Sequence, residues 1–277
     1  MADRLEGYLT GVGNTNLYWQ GWLPNGQVTG VLLLCHGAGE HCGRYQNVVD
    51  TLAPDGWAVY GMDHRGHGRS SGERVHVERF SDWVDDFDLF RREVVARHPD
   101  LPLFVLGHSL GAQIALAYAL DHPEALRGLV LSAPFLATVS VPQVVQPVAK
   151  VAARLLPRAR FKLVDLNKIS KDPDVVKHYR SDPLVYQGNA TLALANIIGS
   201  QFDVLIERSR YLRIPVLIQH GAQDAIADPE GSRRLDEASG SPDQTFFLYR
   251  GLWHEIYNEP ERQLPLDDLR EWLANHR

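Results

Sequence analysis

One pentapeptide constrains the fold of this chain more than any other segment: residues 107–111, Gly-His-Ser-Leu-Gly. It has the form G-x-S-x-G, follows the apolar run 103–106 and precedes the helix-like run 112–120. A strand, a sharp turn and a helix in this order form a nucleophile elbow, which holds a serine hydroxyl away from the backbone. Glycines flank the serine because a side chain at either position would crowd so sharp a turn. The context therefore favours Ser109 as a nucleophile over a chance match of common loop residues.

Short apolar runs alternate with helical patterns along most of the chain. Such runs, bounded by Gly and Pro, are typical of strands that are buried on both faces. The runs occupy 31–35, 57–60, 103–106, 129–132, 216–219 and 245–249, after a β-like start at 6–10 and 15–22. The helical patterns occupy 80–97, 112–120, 232–238 and 265–275. This alternation predicts an α/β fold with a parallel sheet and helices on both of its faces.

The segment 137–200 interrupts this alternation, because it contains no clear buried strand. We interpret it as an inserted helical cap, which leaves 1–136 and 201–277 as the core. Five cations with no acid among them lie in this stretch: Lys150, Arg154, Arg158, Arg160 and Lys162. Two interpretations of them stay open. They form either a solvated helix face or the basic fringe of a lid that touches lipid interfaces.

A serine hydroxyl is a weak nucleophile at neutral pH, so Ser109 needs a histidine base and an acid that orients the base. In folds with such an elbow the chain order is serine, then acid, then histidine. Asp224 follows the strand-like run 216–219, and the carboxyl ends of strands are where catalytic residues of open α/β sheets gather. We therefore predict that Asp224 is the acid, with the nearby Asp228 as its main rival.

The base is predicted to follow the last strand-like run. His254 comes after 245–249 and is therefore the expected general base, which later protonates the leaving alcohol. Other histidines precede Asp224 or follow the final helix, and we expect structural or solvated roles for them: His64, His67, His76, His98, His122, His178 and His276.

Two backbone N–H groups must face the negative oxygen of the tetrahedral intermediate. One is expected from Leu110, which starts the helix after the serine. The other is expected from Ala38, because the glycine-rich loop 36–41 follows an early strand and its glycines permit close backbone approach.

Several other classes are excluded or disfavoured. A formal net charge of −6 argues against a nucleic-acid binder, and the chain lacks the G-K-S/T of a P-loop. Cys35 and Cys42 have neither zinc-finger spacing nor the number expected of a disulfide scaffold. The pattern of Asp63, His64 and His67 could bind zinc, but their glycine-rich setting favours a charged turn. Because no signal-peptide or membrane-spanning pattern is present, we expect the protein to be located in the cytoplasm.

The motifs together resemble those of one known family. The matching segments are 36–41 with 43–45, 63–68, 107–111, 132–134, 181–184 and 253–255. The combination of His-Gly-Ala-Gly-Glu-His, Ser-Asp-Pro-Leu and a cap is more specific than the elbow alone. The chain therefore resembles the monoacylglycerol lipases, within the α/β-hydrolase superfamily, from near residue 30 to near residue 262.

The resemblance implies a mostly parallel sheet of the eight-stranded type, flanked by helices and bearing the inserted cap. It also implies cleavage of a single-chain acylglycerol into glycerol and a fatty acid, with no metal or organic cofactor. Its cap helices would cover an apolar acyl tunnel and could contact membranes peripherally. By resemblance, Glu40, Arg44, His108 and Tyr179 recognise the polar glycerol end. An ordinary surface ion pair is the alternative for Glu40 and Arg44.

Two features depart from the commonest family pattern, and rival functions stay open. Ala112 stands where many members carry another glycine, and 188–210 matches less clearly. The nearest rivals are a lysophospholipase and a short-chain carboxylesterase. Dehalogenases and epoxide hydrolases are disfavoured, since they carry an aspartate where Ser109 stands. A non-catalytic binding protein of the same fold is also disfavoured, because all three expected residues are present in order.

Overall fold

The computed structural model describes residues 3–139, 156, 158–162 and 165–277. The strands are β1 (Asp3–Thr10), β2 (Asn16–Leu23), β3 (Gly30–Cys35), β4 (Trp57–Met62), β5 (Leu103–His108), β6 (Gly128–Ser132), β7 (Arg160–Lys162), β8 (Asn189–Thr191), β9 (Val216–Gly221) and β10 (Gln244–Tyr249). The helices of this part of the chain are α1 (Gln46–Leu52), α2 (Phe80–Arg97), α3 (Leu110–Asp121), α4 (Pro173–Ser181), α5 (Leu192–Gly199), α6 (Gln201–Arg208), α7 (Pro229–Ala238) and α8 (Gln263–His276).

An eight-stranded sheet has the order β1-β2-β4-β3-β5-β6-β9-β10. Strands β1 and β2 are antiparallel to their neighbours, whereas the other six strands of this sheet, β4-β3-β5-β6-β9-β10, pair in parallel. The carboxyl ends of β3, β5, β9 and β10 therefore meet at one edge of the sheet. This edge carries the loops in which the sequence places its predicted site residues.

Apolar side chains cover both faces of the sheet. Helices α2, α3 and α6 pack on one face, and α1 and α8 pack on the other. Strands β3, β4, β5, β6 and β9 are buried along their whole length, as their apolar runs predict. The same prediction is wrong for β10, of which only Tyr249 is buried. It is one of the two edge strands of the sheet, so one side of it lacks a neighbouring strand.

The helices predicted from periodicity are present. The segment predicted as 80–97 coincides with α2, while α3, α7 and α8 each begin two or three residues earlier than expected. The start of α7 has a local cause, because the Asp228 side chain accepts a hydrogen bond from the Glu230 N–H at 3.0 Å and Pro229 occupies the first turn. None of the helices among the described residues is long and apolar enough to cross a membrane.

The predicted cap segment is described only in part. It includes the antiparallel pair of β7 and β8, then α4 and α5. Lys150 and Arg154 lie outside the described residues, whereas Arg158, Arg160 and Lys162 are exposed. Buried residues of α5 pack in the same cluster as α3, so the boundary of the cap at residue 200 stays a prediction.

The elbow leaves no room for a side chain at Gly111. A Cβ there would lie 1.9 Å from the Cys35 carbonyl oxygen and 2.5 Å from that of His36, and backbone atoms can give way only if the strand moves. We expect Gly111→Ala to lower the free energy of unfolding by about 3 kcal/mol or more in urea denaturation. Gly199 is the matched control, because a Cβ there meets no atom within 4 Å. Equal effects of Gly111→Ala and Gly199→Ala would contradict this reading of the elbow.

Candidate active site

Ser109 lies at the turn between β5 and α3 in a strained backbone conformation. Its φ of 54° and ψ of −117° are rarely adopted by residues other than glycine. Hydrogen bonds hold this geometry, from the Ser109 N–H to the Ser132 carbonyl oxygen at 3.0 Å and from the Phe135 N–H to the Ser109 carbonyl oxygen at 3.3 Å. Strain of this kind persists only where the surroundings enforce it, and it concentrates at functional sites.

Asp224 and His254 are brought into direct contact by the loops after β9 and β10. The His254 Nδ1–H donates to Asp224 Oδ2 at 2.6 Å, and both side chains are buried. The other oxygen, Oδ1, accepts the N–H groups of Ile226 at 2.8 Å and Ala227 at 3.0 Å. The rival Asp228 instead caps α7, so the structure pairs His254 with Asp224.

The charges of this pair support each other. Burial disfavours the charged form of both side chains, but the Asp224 carboxylate outweighs it and raises the pKa of His254 above its usual value. For Asp224 burial is likewise outweighed by His254, with help from His220, and its pKa falls far below the usual range. The pair therefore favours an imidazolium at His254, which is the form that a general base becomes when it accepts a proton.

Asp224 also contacts a second histidine, His220, which the sequence analysis does not predict. The His220 Nε2–H donates to the same Oδ2 at 3.1 Å, and the Ser232 hydroxyl lies 2.7 Å from its Nδ1. His220 is fully buried at the end of β9. Its spacing of four residues before Asp224 is the one signal in the sequence that could have suggested the contact.

His108 and the loop 36–41 connect this pair to the serine. The His108 ring lies 4.7 Å from that of His254, and burial lowers the pKa of His108 to about 4. A Cβ added to Gly37 would lie 3.3 Å from the Ser109 Cβ, so the glycine-rich loop approaches the serine closely. The elbow, the histidine and the loop therefore occupy one site.

The two expected oxyanion donors have suitable surroundings. Leu110 is the first residue of α3, so its N–H lies at the positive end of the helix dipole. Ala38 lies in the loop that Glu40 stabilises by accepting the Gly37 N–H at 2.7 Å. Within the described part of the chain, the N–H groups of Ala38 and Leu110 have no protein acceptor. Both are therefore available to an oxyanion.

Glu40 and Arg44 form a buried ion pair with an N–O distance of 2.7 Å, so the alternative of a surface ion pair is wrong. Their side chains are only 5% and 11% exposed. Arg44 also binds Glu255, and its guanidinium lies over the Tyr179 ring at 4.3 Å from the centroid. Three of the residues associated with the polar substrate end thus form one network with a residue that the sequence prediction missed, Glu255.

Two of the matched motifs contact each other in space. His41 Nε2 lies 2.8 Å from Asp182 Oδ2, which joins the glycine-rich loop to the end of α4. The Tyr186 N–H donates to the Gly39 carbonyl oxygen at 2.7 Å in the same region. These contacts bring the two sequence motifs together in space and hold the glycine-rich loop against the segment that follows α4.

Two cavities adjoin the loop 36–41. One of about 280 Å³ is lined by Ala38, Tyr179, Tyr186 and neighbouring residues of the segment 162–188. The other, of about 20 Å³, is lined in part by Glu40, Arg44, His108 and Glu255, and it has room for about one water molecule. The larger cavity lies beside an expected oxyanion donor, and the smaller one lies behind His108.

Asp63, His64 and His67, the residues considered as a zinc site, make structural contacts instead. The Asp63 carboxylate accepts backbone N–H groups of Cys42 at 2.9 Å and of Arg69 at 2.8 Å. The two histidine rings pack against that of His36, at 4.1 and 5.3 Å between centroids. No cluster of three or more metal-ligating side chains that could hold an ion occurs in the described ranges.

A family model described as serine aminopeptidase, S33, matches residues 26–261. Over 276 residues the chain is 38% identical to the monoacylglycerol lipase of Mycolicibacterium smegmatis, covering 99% of each chain. The chain belongs to the monoacylglycerol lipase family. Membership confirms the resemblance that the motifs indicated.

Solved structures of family members share the fold. The crystal structure of Paleococcus ferrophilus monoacylglycerol lipase matches with a TM-score of 0.82 and 32% identity, covering 94% of this chain and 99% of that one. A soluble variant of the Saccharomyces cerevisiae monoglyceride lipase, in complex with a substrate analog, matches with a TM-score of 0.89 and 25% identity. It covers 100% of this chain and 96% of that one. The predicted α/β-hydrolase fold is therefore confirmed.

Proposed function

We propose that this protein hydrolyses the ester bond of monoacylglycerols, releasing glycerol and a fatty acid through an acyl-enzyme. The observation that carries the reaction type is the 2.6 Å hydrogen bond between His254 and Asp224 at the strand edge that bears Ser109. The substrate class is supported by the full-length similarity to the mycobacterial monoacylglycerol lipase.

The proposed reaction uses five groups of this chain. The Ser109 hydroxyl attacks the ester carbonyl while His254 Nε2 takes its proton, and Asp224 fixes the remaining proton on Nδ1. The N–H groups of Ala38 and Leu110 hold the oxyanion of the tetrahedral intermediate. The intermediate collapses as His254 protonates the departing glycerol oxygen. Water, deprotonated by His254, then attacks the acyl-enzyme, and the acid leaves with Ser109 restored.

The polar end of the substrate is assigned to the network around Arg44. Tyr179 lines the larger cavity together with Ala38, so we assign it to the glycerol portion of the bound ester. Glu40, Arg44 and His108 line the smaller cavity, and their contribution is to shape and polarise this end of the site. Hydrogen-bonding groups at one end of an otherwise apolar pocket fix the orientation of a single-chain ester.

Reversible membrane contact through the cap is part of the proposal. Leu156 is 62% exposed, and the nearby Arg158, Arg160 and Lys162 are exposed as well. An apolar residue beside several cations suits the headgroup region of an anionic membrane. The proposed location is the cytoplasm, with the protein bound peripherally where its substrate resides.

A substrate panel tests the proposal. We expect kcat/KM for medium- or long-chain monoacylglycerols to exceed that for lysophosphatidylcholine and for short p-nitrophenyl esters by about tenfold or more. A preference for lysophosphatidylcholine would indicate a lysophospholipase, and activity on short esters alone would indicate a carboxylesterase. An aminoacyl p-nitroanilide tests the peptidase activity that the family description names. Failure of a fluorophosphonate to label Ser109 in folded protein would favour a binding role.

A further inference from the structure

Arg44 joins two loops of the site through two carboxylates. Its Nη1 donates to Glu40 at 2.7 Å, and its Nη1 and Nη2 each donate to one oxygen of Glu255 at 2.7 Å. The Asn258 amide also donates to Glu255 at 2.9 Å. Because the Tyr179 ring covers the guanidinium, protein groups hold Arg44 from several sides. Bidentate pairing of this kind fixes orientation as well as charge.

The loops joined in this way carry the two halves of the proposed machinery. Glu40 accepts the Gly37 N–H, next to the expected oxyanion donor Ala38. Glu255 directly follows His254, and its own N–H donates to the Ile169 carbonyl oxygen at 2.9 Å. The Glu40–Arg44–Glu255 bridge therefore sets the position of the histidine loop relative to the glycine-rich loop.

The bridge also leaves an uncompensated charge. Two carboxylates against one guanidinium give a net charge of minus one, and all three side chains are at most 11% exposed. Burying an excess carboxylate is costly unless hydrogen bonds or an opposite charge compensate it, and a neighbouring cation can supply that charge. Asp224 binds His254 Nδ1, and the His108 ring lies 4.7 Å from the His254 ring. His108 in turn lines the smaller cavity together with Glu40 and Glu255, so both carboxylates of the bridge lie close to His254. His254 is thus the residue that gains from this charge when it is protonated.

We propose that Glu255, held by Arg44, is a positioning residue that keeps a negative charge beside the His254 imidazole and so stabilises the imidazolium formed during the reaction. This inference rests on the proposed function, in which His254 takes the Ser109 proton. Charges act strongly here because the site is buried and poorly screened. Glu255 supplements Asp224, which both orients the ring and stabilises its charge.

The protonation behaviour of these groups is consistent with the geometry. Burial opposes ionisation of Glu255, but Arg44 outweighs it and holds its pKa below the usual value. After Asp224, the carboxylates of Glu255 and Glu40 also raise the pKa of His254. His108 does not add a competing positive charge at neutral pH, since burial lowers its pKa to about 4.

The test is the pH dependence of two reactions, fluorophosphonate labelling of Ser109 and hydrolysis of a soluble p-nitrophenyl ester. Both rates rise as the pH passes upward through the pKa of His254, because only the neutral ring accepts a proton. Glu255→Gln removes the charge with little change in shape. It is expected to move the acid limb, which is the rising part of the pH–rate profile, to lower pH by about half a unit to one unit. It is also expected to lower kcat on the plateau of that profile roughly threefold to tenfold, with KM unchanged. Glu255→Asp keeps the charge and should restore the wild-type acid limb.

Controls separate the charge effect from a structural one. Glu261→Gln removes a nearby exposed carboxylate that pairs with Lys171, and it should leave both the limb and the plateau unchanged. A Glu255→Gln limb that coincides with that of the wild type overturns the proposal, even if the plateau falls. If Glu255→Gln does not fold, Glu40→Gln removes the other carboxylate and should move the limb in the same direction. An unlabelled Ser109 in the wild type would instead overturn the proposed function.

Discussion

Replacing Ser109 by alanine is expected to lower kcat/KM on every ester substrate by about 10⁴- to 10⁶-fold. The hydroxyl is the group that would form the acyl-enzyme, and neither His254 nor the oxyanion donors can replace a missing nucleophile. The small rate that remains comes from the oxyanion hole and from substrate binding, which the alanine substitution leaves in place. Initial rates with purified protein, together with loss of fluorophosphonate labelling, measure the effect.

The Ser109→Ala protein is expected to stay folded. Alanine keeps the strained φ of 54° that the elbow imposes, and the backbone hydrogen bonds to Ser132 and from Phe135 are unaffected. We expect a change in unfolding free energy within about 1 kcal/mol. Ser200→Ala is the matched control, because it removes an exposed hydroxyl between α5 and α6 and should retain full activity. If Ser109→Ala kept a hundredth or more of the wild-type rate, a different nucleophile would be required.

Much of the fold follows from local sequence patterns. Each buried strand of the parallel sheet contains a short apolar run, and α2 shows a clear helical period over 18 residues. The elbow then sets the arrangement of the site, since a strand, a serine and a helix N-terminus place Leu110 beside Ser109. The short helices α1 and α5 had no such signal. The first has seven residues, and the second is apolar on nearly every side, so neither gives a readable period.

The contacts that refine the site could not be predicted in the same way. Arg44 and Glu255 are 211 residues apart, and their pairing depends on how the loops after β3 and β10 meet at the strand edge. His220 lies close to Asp224 in sequence, but its contact requires the particular turn that follows β9. Chain order therefore predicted Asp224 and His254, which the structure brings into contact, whereas their contacts with the residues around them are defined only in three dimensions.

Replacing Asp224 by asparagine is expected to lower kcat/KM by about 10⁴-fold while preserving the fold. Oδ1 accepts two backbone N–H groups, from Ile226 and Ala227, so the asparagine must turn its carbonyl oxygen toward them. Its NH₂ group then faces His254 Nδ1, which becomes an acceptor. The ring proton moves to Nε2, the nitrogen that must take the Ser109 proton. The variant therefore carries the histidine in the wrong tautomer, and the measurement is kcat/KM on the plateau of the pH profile.

Asp228→Asn is the control that separates this mechanism from a general effect on the loop. Asp228 caps α7, and asparagine is an equally good N-cap residue, so both stability and activity should match the wild type. The two substitutions make the same chemical change at positions four residues apart, but only Asp224 contacts His254. A large loss in Asp228→Asn with a small loss in Asp224→Asn would reverse the assignment of the acid. Comparable losses in both would indicate that loop geometry, and not the tautomer of His254, limits the rate.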